Sequence, residues 1–235
     1  MKVKKVKAKN GLIFYCRPET SDEKTIDEVV NNGVYEKKGV KILKDEKWID
    51  LGGNIGAFSV LVCSKGADVE TYEPDPTNYQ ILCENMKLNG FPTNKVHNKA
   101  VVHDDRKNDF LHISQTKQFW RNSLERSFGG DFIQVECVNF RNAIASGNCV
   151  KMDIEGSEMK IIEKFDIADI KKMVFEWSFD IDNDLIRYRN ACEGLKAYFI
   201  DVKYRKFDTH DKFLKNWFPP YVNVFCSNED NSIVT

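Results

Sequence analysis

Acidic residues at the ends of apolar stretches, one of them leading a glycine-rich turn, are the groups in this chain best placed to do chemistry. The turn is Asp50-Leu51-Gly52-Gly53-Asn54-Ile55-Gly56. Glycine lets the backbone turn sharply and lets a ligand approach with no Cβ in the way. A helix starting after the turn offers unpaired N–H groups. The glycine spacing differs from the G-x-G-x-x-G of a dinucleotide loop. The leading acid also argues against a pyrophosphate, which a carboxylate repels, and favours an ammonium or a sulfonium. S-adenosylmethionine (SAM) carries both cations, and a carboxylate for the helix N–H groups.

Glu73, in Tyr72-Glu73-Pro74-Asp75-Pro76, lies one strand-helix-strand unit further on. A carboxylate there can accept hydrogen bonds from two ribose hydroxyls, whereas Asp75 reads as a helix N-cap. Two later stretches, Val150-Lys151-Met152-Asp153-Ile154-Glu155-Gly156 and Phe175-Glu176-Trp177, end neighbouring strands. They bring Asp153 and Glu176 towards the reactive end of such a cofactor. Methyl transfer from a sulfonium is an in-line displacement that must align oxygen with methyl and dispose of the hydroxyl proton. An ionised carboxylate can accept that proton. Asp153 and Glu176 are the candidates, and Glu155 either joins them or stabilises the helix that starts at Ser157. Lys151 shares a strand face with Asp153 and reads as an ion-pair partner. His103 and His210 fit structural or exposed roles better than proton transfer. Phe119, Trp120 and Ser123 lie in a long loop, where they either touch an acceptor ring or pack a lid.

The elements that must position these groups follow from the same reading. Asn10-Gly11 between residues 2–7 and 12–16 marks a β-hairpin. Ser21-Asp22 precedes a short helix that stops near Gly33. Strands are expected at 47–51, 68–73, 96–102, 108–113, 132–138, 148–153, 171–177, 195–203 and 221–226. Helices are expected at 57–64, 76–89, 157–164 and 182–193. Pro76 suits a first helical turn, and the polar segment 114–131 is long enough to be a functional loop. Strands alternating with helices predict a mostly parallel sheet covered on both faces, with one antiparallel member near the end. The expected organisation is a single domain over 1–235, with a hairpin and helix in 1–46 and a SAM-binding catalytic core in 47–226.

The bulk composition excludes several classes. With 42% hydrophobic and 30% charged residues the chain is globular, and a net charge of -1 gives no global field to hold a nucleic acid. The lysines at 2, 4, 5, 7 and 9 read as protection of an edge strand. Seven cysteines without a C-x-x-C pair read as reduced thiols. No apolar segment is long enough to span a bilayer. The expectation is a soluble, cytoplasmic protein without membrane or nucleic-acid partners.

Four stretches together resemble the FkbM-type family of SAM-dependent methyltransferases. They are Trp48 to Gly56, Tyr72 to Pro76, Asn98-Lys99-Ala100-Val101 and Val150 to Glu158, and Gly33-Val34-Tyr35-Glu36 also fits. The resemblance implies an α/β, Rossmann-like class I methyltransferase fold whose seven strands run in the order 3-2-1-4-5-7-6. It implies O-methylation of a sugar, glycan or small molecule, by a chain that stands alone or is one domain of a larger glycan-modifying protein. Tyr35, Asp50, Gly52, Asn54, Gly56, Glu73, Pro74, Ala100, Val101 and Asp153 would then bind the cofactor, and Asp153, Glu155 and Glu176 would serve catalysis. It also leaves room for a divalent cation such as magnesium on Asp153 and Glu176, with Asp180 and Asp182 as additional candidates, in place of direct base catalysis. Two other readings remain at this point. One is an RNA 2′-O-methyltransferase built on Lys151, Asp153, Lys172 and Glu176, although the last two share one short strand. The other is a binding module that keeps the fold without catalysis.

Overall fold

The computed structural model describes residues 2–37, 40–114, 122–125, 127, 129–165, 170–178, 197–201 and 221–227. A hairpin comes first, β1 (Lys4–Lys7) antiparallel to β2 (Ile13–Cys16), followed by the short helix α1 (Asp22–Ile26), which runs on as a π-helical turn. Next come β3 (Lys47–Leu51), α2 (Ala57–Ser64), β4 (Asp68–Tyr72), α3 (Pro76–Leu88) and β5 (Val96–His97). A separate set follows: β6 (Ala100–Val102), β7 (Asn108–His112), β8 (Phe132–Asn139) and α4 (Phe140–Ala143). The chain ends with β9 (Cys149–Met152), α5 (Glu158–Lys164), β10 (Lys172–Ser178), β11 (Ala197–Asp201) and β12 (Tyr221–Ser227).

Seven strands form the main sheet in the spatial order β11-β12-β10-β9-β3-β4-β5. Numbered within that sheet, this is the 3-2-1-4-5-7-6 order expected of a class I methyltransferase. Strand β12 runs antiparallel to both β10 and β11, and the remaining pairs are parallel. One face of the sheet packs a cluster around Trp48, Phe58 and Leu82, and the other packs one around Leu51, Phe140 and Phe175. Strand alternation divides β3 between them, since Trp48 and Ile49 point to opposite sides.

The N-terminal hairpin joins the first cluster through Phe14 and Cys16. On its inner edge β2 meets two asparagines one turn apart, Asn85 on α3 and Asn89 at its C-cap, rather than another strand. The Asn85 amide bonds to Tyr15 N (2.6 Å) and O (3.2 Å), and the Asn89 amide to Ile13 N (3.0 Å) and O (2.7 Å). Each side chain satisfies one donor and one acceptor that would otherwise be unpaired.

The stretch 96–102 differs from the single strand expected. After two residues beside β4 the chain bends, and β6 pairs with β8 in a second sheet, order β6-β8-β7. Asn98 explains the bend: its Nδ2 donates to the carbonyls of Glu73 (2.8 Å) and Pro74 (2.9 Å). That anchor takes the backbone out of the β4 ladder. The expected helix over 182–193 lies outside the described residues.

Candidate active site

Strand β3 delivers the chain to the glycine turn at the carboxyl edge of the sheet. Gly52 and Gly53 donate to the Tyr72 carbonyl at 2.9 and 3.0 Å, so the turn is fixed to the exit of β4. Gly52 has φ +80°, and a Cβ there would lie 1.8 Å from the Asp153 carbonyl oxygen. Only glycine lets the exits of β3 and β9 pass so closely. Gly56 has φ +84° and leads α2, and a Cβ there would meet Leu82 on α3 at 3.0 Å.

Above this turn opens a cleft at the carboxyl ends of the strands. Of the residues expected to bind cofactor or act, Gly52, Asn54, Glu73, Pro74, Ala100, Val101, Asp153 and Glu155 line it together. Glu73 is 5% exposed and accepts from the backbone N–H groups of Asn54 (2.7 Å) and Asp75 (2.9 Å). Burial, with the Asp75 charge adding to it, pushes the Glu73 carboxyl up to about 7 despite those two donors. Asp75 caps α3 through Thr77 N and Asn78 N, as expected. Its other oxygen accepts from Asn122 Nδ2 at 2.6 Å, so Asn122 is tied to the Asp75 side of the cleft.

Asp50 lies elsewhere. Its fully buried carboxylate sits beneath the turn, 3.1 Å from Lys151 Nζ, and accepts from Ser59 Oγ at 2.6 Å. Lys151 also donates to the Gly52 carbonyl at 2.6 Å. Burial works against the lysine's charge, but the facing Asp50, Asp153 and Glu73 carboxylates raise it above its ordinary value. Asp50 thus anchors Lys151 and the turn, and Lys151, placed on one face with Asp153 by the sequence pattern, has Asp50 as its ion-pair partner.

On the acceptor side, Asp153, Glu155 and Glu176 offer carboxylate oxygens all within 4.8 Å of one another. Tyr35 donates to Asp153 Oδ2 at 2.7 Å. Burial, then the Asp153 and Glu155 charges, holds Glu176 well above the usual carboxylate range. Burial, then the Asp153 and Glu176 charges, raises the Tyr35 hydroxyl well above its ordinary value.

The family model of the methyltransferase FkbM domain matches residues 50–216. The chain belongs to this family. Its cofactor is accordingly SAM, and the acids and glycine turn that line the cleft suit that molecule chemically. Among the described residues, the buried Asn54 side-chain oxygen at the lip of the cleft has no hydrogen-bond partner, which suits an ammonium donor.

Solved structures with a similar course include the tRNA (uracil-54, C5)-methyltransferase of Pyrococcus abyssi with S-adenosyl-L-homocysteine. It is 8% identical, with a TM-score of 0.48, over 96% of this chain and 44% of that one. Others are TYW2 of M. jannaschii with AdoMet (14%, TM-score 0.45, 95% and 84% of the chains) and a SAM-dependent O-methyltransferase of Thermotoga maritima (11%, 0.43, 95% and 77%). This FkbM chain spans less than half the length of the P. abyssi protein. At these identities none of them speaks to its acceptor. Among curated proteins the sequence has no match. No described helix is long and apolar enough to cross a membrane.

Sequence reasoning missed Glu158. It is 1% exposed and accepts from Ile154 N and Gly156 N, both at 2.8 Å, closing the loop that carries Asp153 and Glu155. An acid in the first turn after Ser157 was the available signal. Ser123, which was expected to touch an acceptor or pack a lid, donates to the Glu155 carbonyl at 2.5 Å. His103 is half-buried beside Asp104 at 3.6 Å. Phe119, Trp120, Asp180, Asp182 and His210 lie outside the described residues.

The buried acids set the pH dependence of stability. Burial raises Glu158 to about 8, as it raises Glu73 to about 7. An unfolded glutamate releases its proton near pH 4.3. Between that pH and the folded values the native state therefore binds more protons than the unfolded state, and stability falls as pH rises. The ligand-free chain should melt several degrees lower at pH 8 than at pH 5, and Glu73→Gln should flatten part of that slope. Thermal denaturation across this window checks the sign; a rising curve would refute the protonation assigned to these groups.

Proposed function

We propose that this FkbM methyltransferase moves the methyl group of SAM to a hydroxyl oxygen of a sugar, glycan or small molecule. The observation that carries the reading is the Asp153, Glu155 and Glu176 cluster beside the cofactor cleft. It gathers proton acceptors where the acceptor hydroxyl would lie, and hydroxyls need a base as they attack. SAM supplies an electrophilic methyl on a positively charged sulfur.

Gly52, Asn54 and Glu73 hold that molecule, with Glu73 accepting from the ribose hydroxyls and Ala100 and Val101 bordering the adenine. The acceptor oxygen attacks the methyl carbon, and the carbon–sulfur bond breaks with its electron pair going to sulfur. The hydroxyl proton passes to the Asp153 carboxylate, which Tyr35 orients. The three carboxylates also fit a divalent cation such as magnesium by donor type, with Asp153 and Glu176 as its ligands. Such an ion would acidify a hydroxyl.

The RNA alternative finds less support. Lys172 bonds to the Lys41 carbonyl (3.0 Å) and Glu46 (2.7 Å) at the opposite end of β10 from Glu176, so it is not available beside Lys151 and Asp153. The reading places the protein in the cytoplasm, with which the thiols at 16, 63, 83, 137 and 149, none of them in a disulfide among the described residues, accord.

The test is transfer of labelled methyl from SAM to a panel of mono- and oligosaccharides, with the methylated atom identified in the product. Methyl found only on nitrogen or carbon, or no transfer by a chain that binds S-adenosylhomocysteine, would refute O-methylation. Glu73→Ala should weaken S-adenosylhomocysteine binding by about 10- to 100-fold, the worth of hydrogen bonds to a charged acceptor. Calorimetry measures this directly, and an unchanged affinity would remove Glu73 from the ribose site.

A further inference from the structure

The polar row at the carboxyl edge of the sheet continues one strand beyond Glu176. In an antiparallel pair, residues directly opposite share a face, with Cβ atoms roughly 4.5–5.5 Å apart. Asn223 on β12 is opposite Glu176 on β10. The cores on either side of the sheet agree with that facing. The next pair inward, Val174 and Phe225, packs in one cluster, and the pair between, Phe175 and Val224, packs in the other. Asp153 follows Met152, the β9 partner of Phe175, and so takes its place in the same row. Asp153, Glu176 and Asn223 therefore stand side by side on three adjacent strands.

Asn223 is 6% exposed, and its Oδ1 is buried with no hydrogen-bond partner among the described residues. An orphaned buried carbonyl is costly to a fold. An ionised carboxylate cannot relieve it, because it too is only an acceptor. Oxygen ligands gathered on adjacent strands are what a hard cation requires. The carboxylate oxygens of Asp153, Glu155 and Glu176 lie close enough together to share one ion.

We infer that Asp153, Glu155, Glu176 and Asn223 form a binding site for a hard divalent cation, in which Asn223 supplies a neutral oxygen ligand. This rests on the proposed function only for its purpose, the binding of an acceptor hydroxyl, and it is testable apart from it. If Asn223 were merely a core residue, an apolar replacement of similar size would stabilise the chain and leave ion binding alone. If it is a ligand, the same replacement removes one oxygen from the ion.

The experiment titrates the full chain with Mn²⁺ and follows loss of the free-ion electron paramagnetic resonance signal. Melting temperature and S-adenosylhomocysteine affinity are measured in parallel on every variant. One ion should bind per chain, and Glu176→Gln should abolish binding. Asn223→Leu should weaken it by about tenfold with cofactor affinity intact, and Asn223→Asp should restore it, since ligand number and charge tune such sites. A folded chain that binds no Mn²⁺ at millimolar concentration, or an Asn223→Leu chain that binds like the parent, overturns the inference. Full methyl transfer to a sugar hydroxyl in excess chelator would also sink it while leaving O-methylation standing. Ion binding as expected with no hydroxyl methylated would do the reverse.

Discussion

Gly52→Ala is expected to lose S-adenosylhomocysteine binding and to melt on the order of 10 °C lower than the parent chain. Two costs combine. Gly52 has φ +80°, a conformation that costs an L-residue about 1–2 kcal/mol. The new Cβ would also lie 1.8 Å from the Asp153 oxygen and 2.9 Å from its carbonyl carbon. Those are backbone atoms, so no rotamer change relieves the contact, and such overpacking typically costs about 1–3 kcal/mol. In a chain of this size each kcal/mol moves the melting temperature by about 2–4 °C. The displaced groups are Asp153, whose N–H donates to the Leu51 carbonyl at 3.0 Å, and Lys151, which donates to Gly52 itself. The cofactor floor and the acceptor cluster should fail together. Gly90→Ala is the control: Gly90 has the same φ, but a Cβ there meets nothing within 4 Å. Its melting temperature isolates the backbone cost. A Gly52→Ala chain as stable as Gly90→Ala, with normal cofactor affinity, would show that the close passage of β3 and β9 does not exist.

Much of this architecture was legible in the sequence because its signals are local. The glycine turn, the Asp75 cap and the Asn10-Gly11 hairpin each depend on neighbours within a few residues. The strand order came from resemblance rather than periodicity. What the sequence could not reveal was pairing over long separations. The partner of Asp50 is Lys151, about a hundred residues away in the chain, and their adjacency depends on β3 lying beside β9. An acid that seemed free to meet a cation was already engaged by one. The break within 96–102 was hidden for a similar reason, since the bonds from Asn98 to Glu73 and Pro74 cross two elements. Asn223 carries no motif at all, and it joins the site only because β12 inserts beside β10. The acids of the site were visible as residue types at strand ends, whereas their division into anchor, ribose contact and acceptor cluster required the fold.

That division gives the largest expected effect on rate. Asp153→Asn keeps the shape of the side chain and leaves Tyr35 an oxygen to donate to, but removes the charge that receives the hydroxyl proton. General-base catalysis is worth about 10²–10⁴-fold, so turnover should fall by about 10³, or roughly 4 kcal/mol of barrier. Cofactor affinity should change far less, because Asn54 and Glu73 hold their places through bonds that do not involve Asp153. Tyr35→Phe removes only the hydrogen bond that orients the carboxylate and should cost no more than about tenfold. The parent rate should rise with pH as Glu176, which burial and the neighbouring acids hold above the usual carboxylate range, gives up its proton, and Glu176→Gln should remove that rise. The three variants therefore separate a base from a residue that merely shapes the pocket. A pocket wall would show parallel losses in affinity and rate, with no change in the pH profile. An Asp153→Asn enzyme retaining more than about a tenth of the parent turnover would require the base to be found elsewhere.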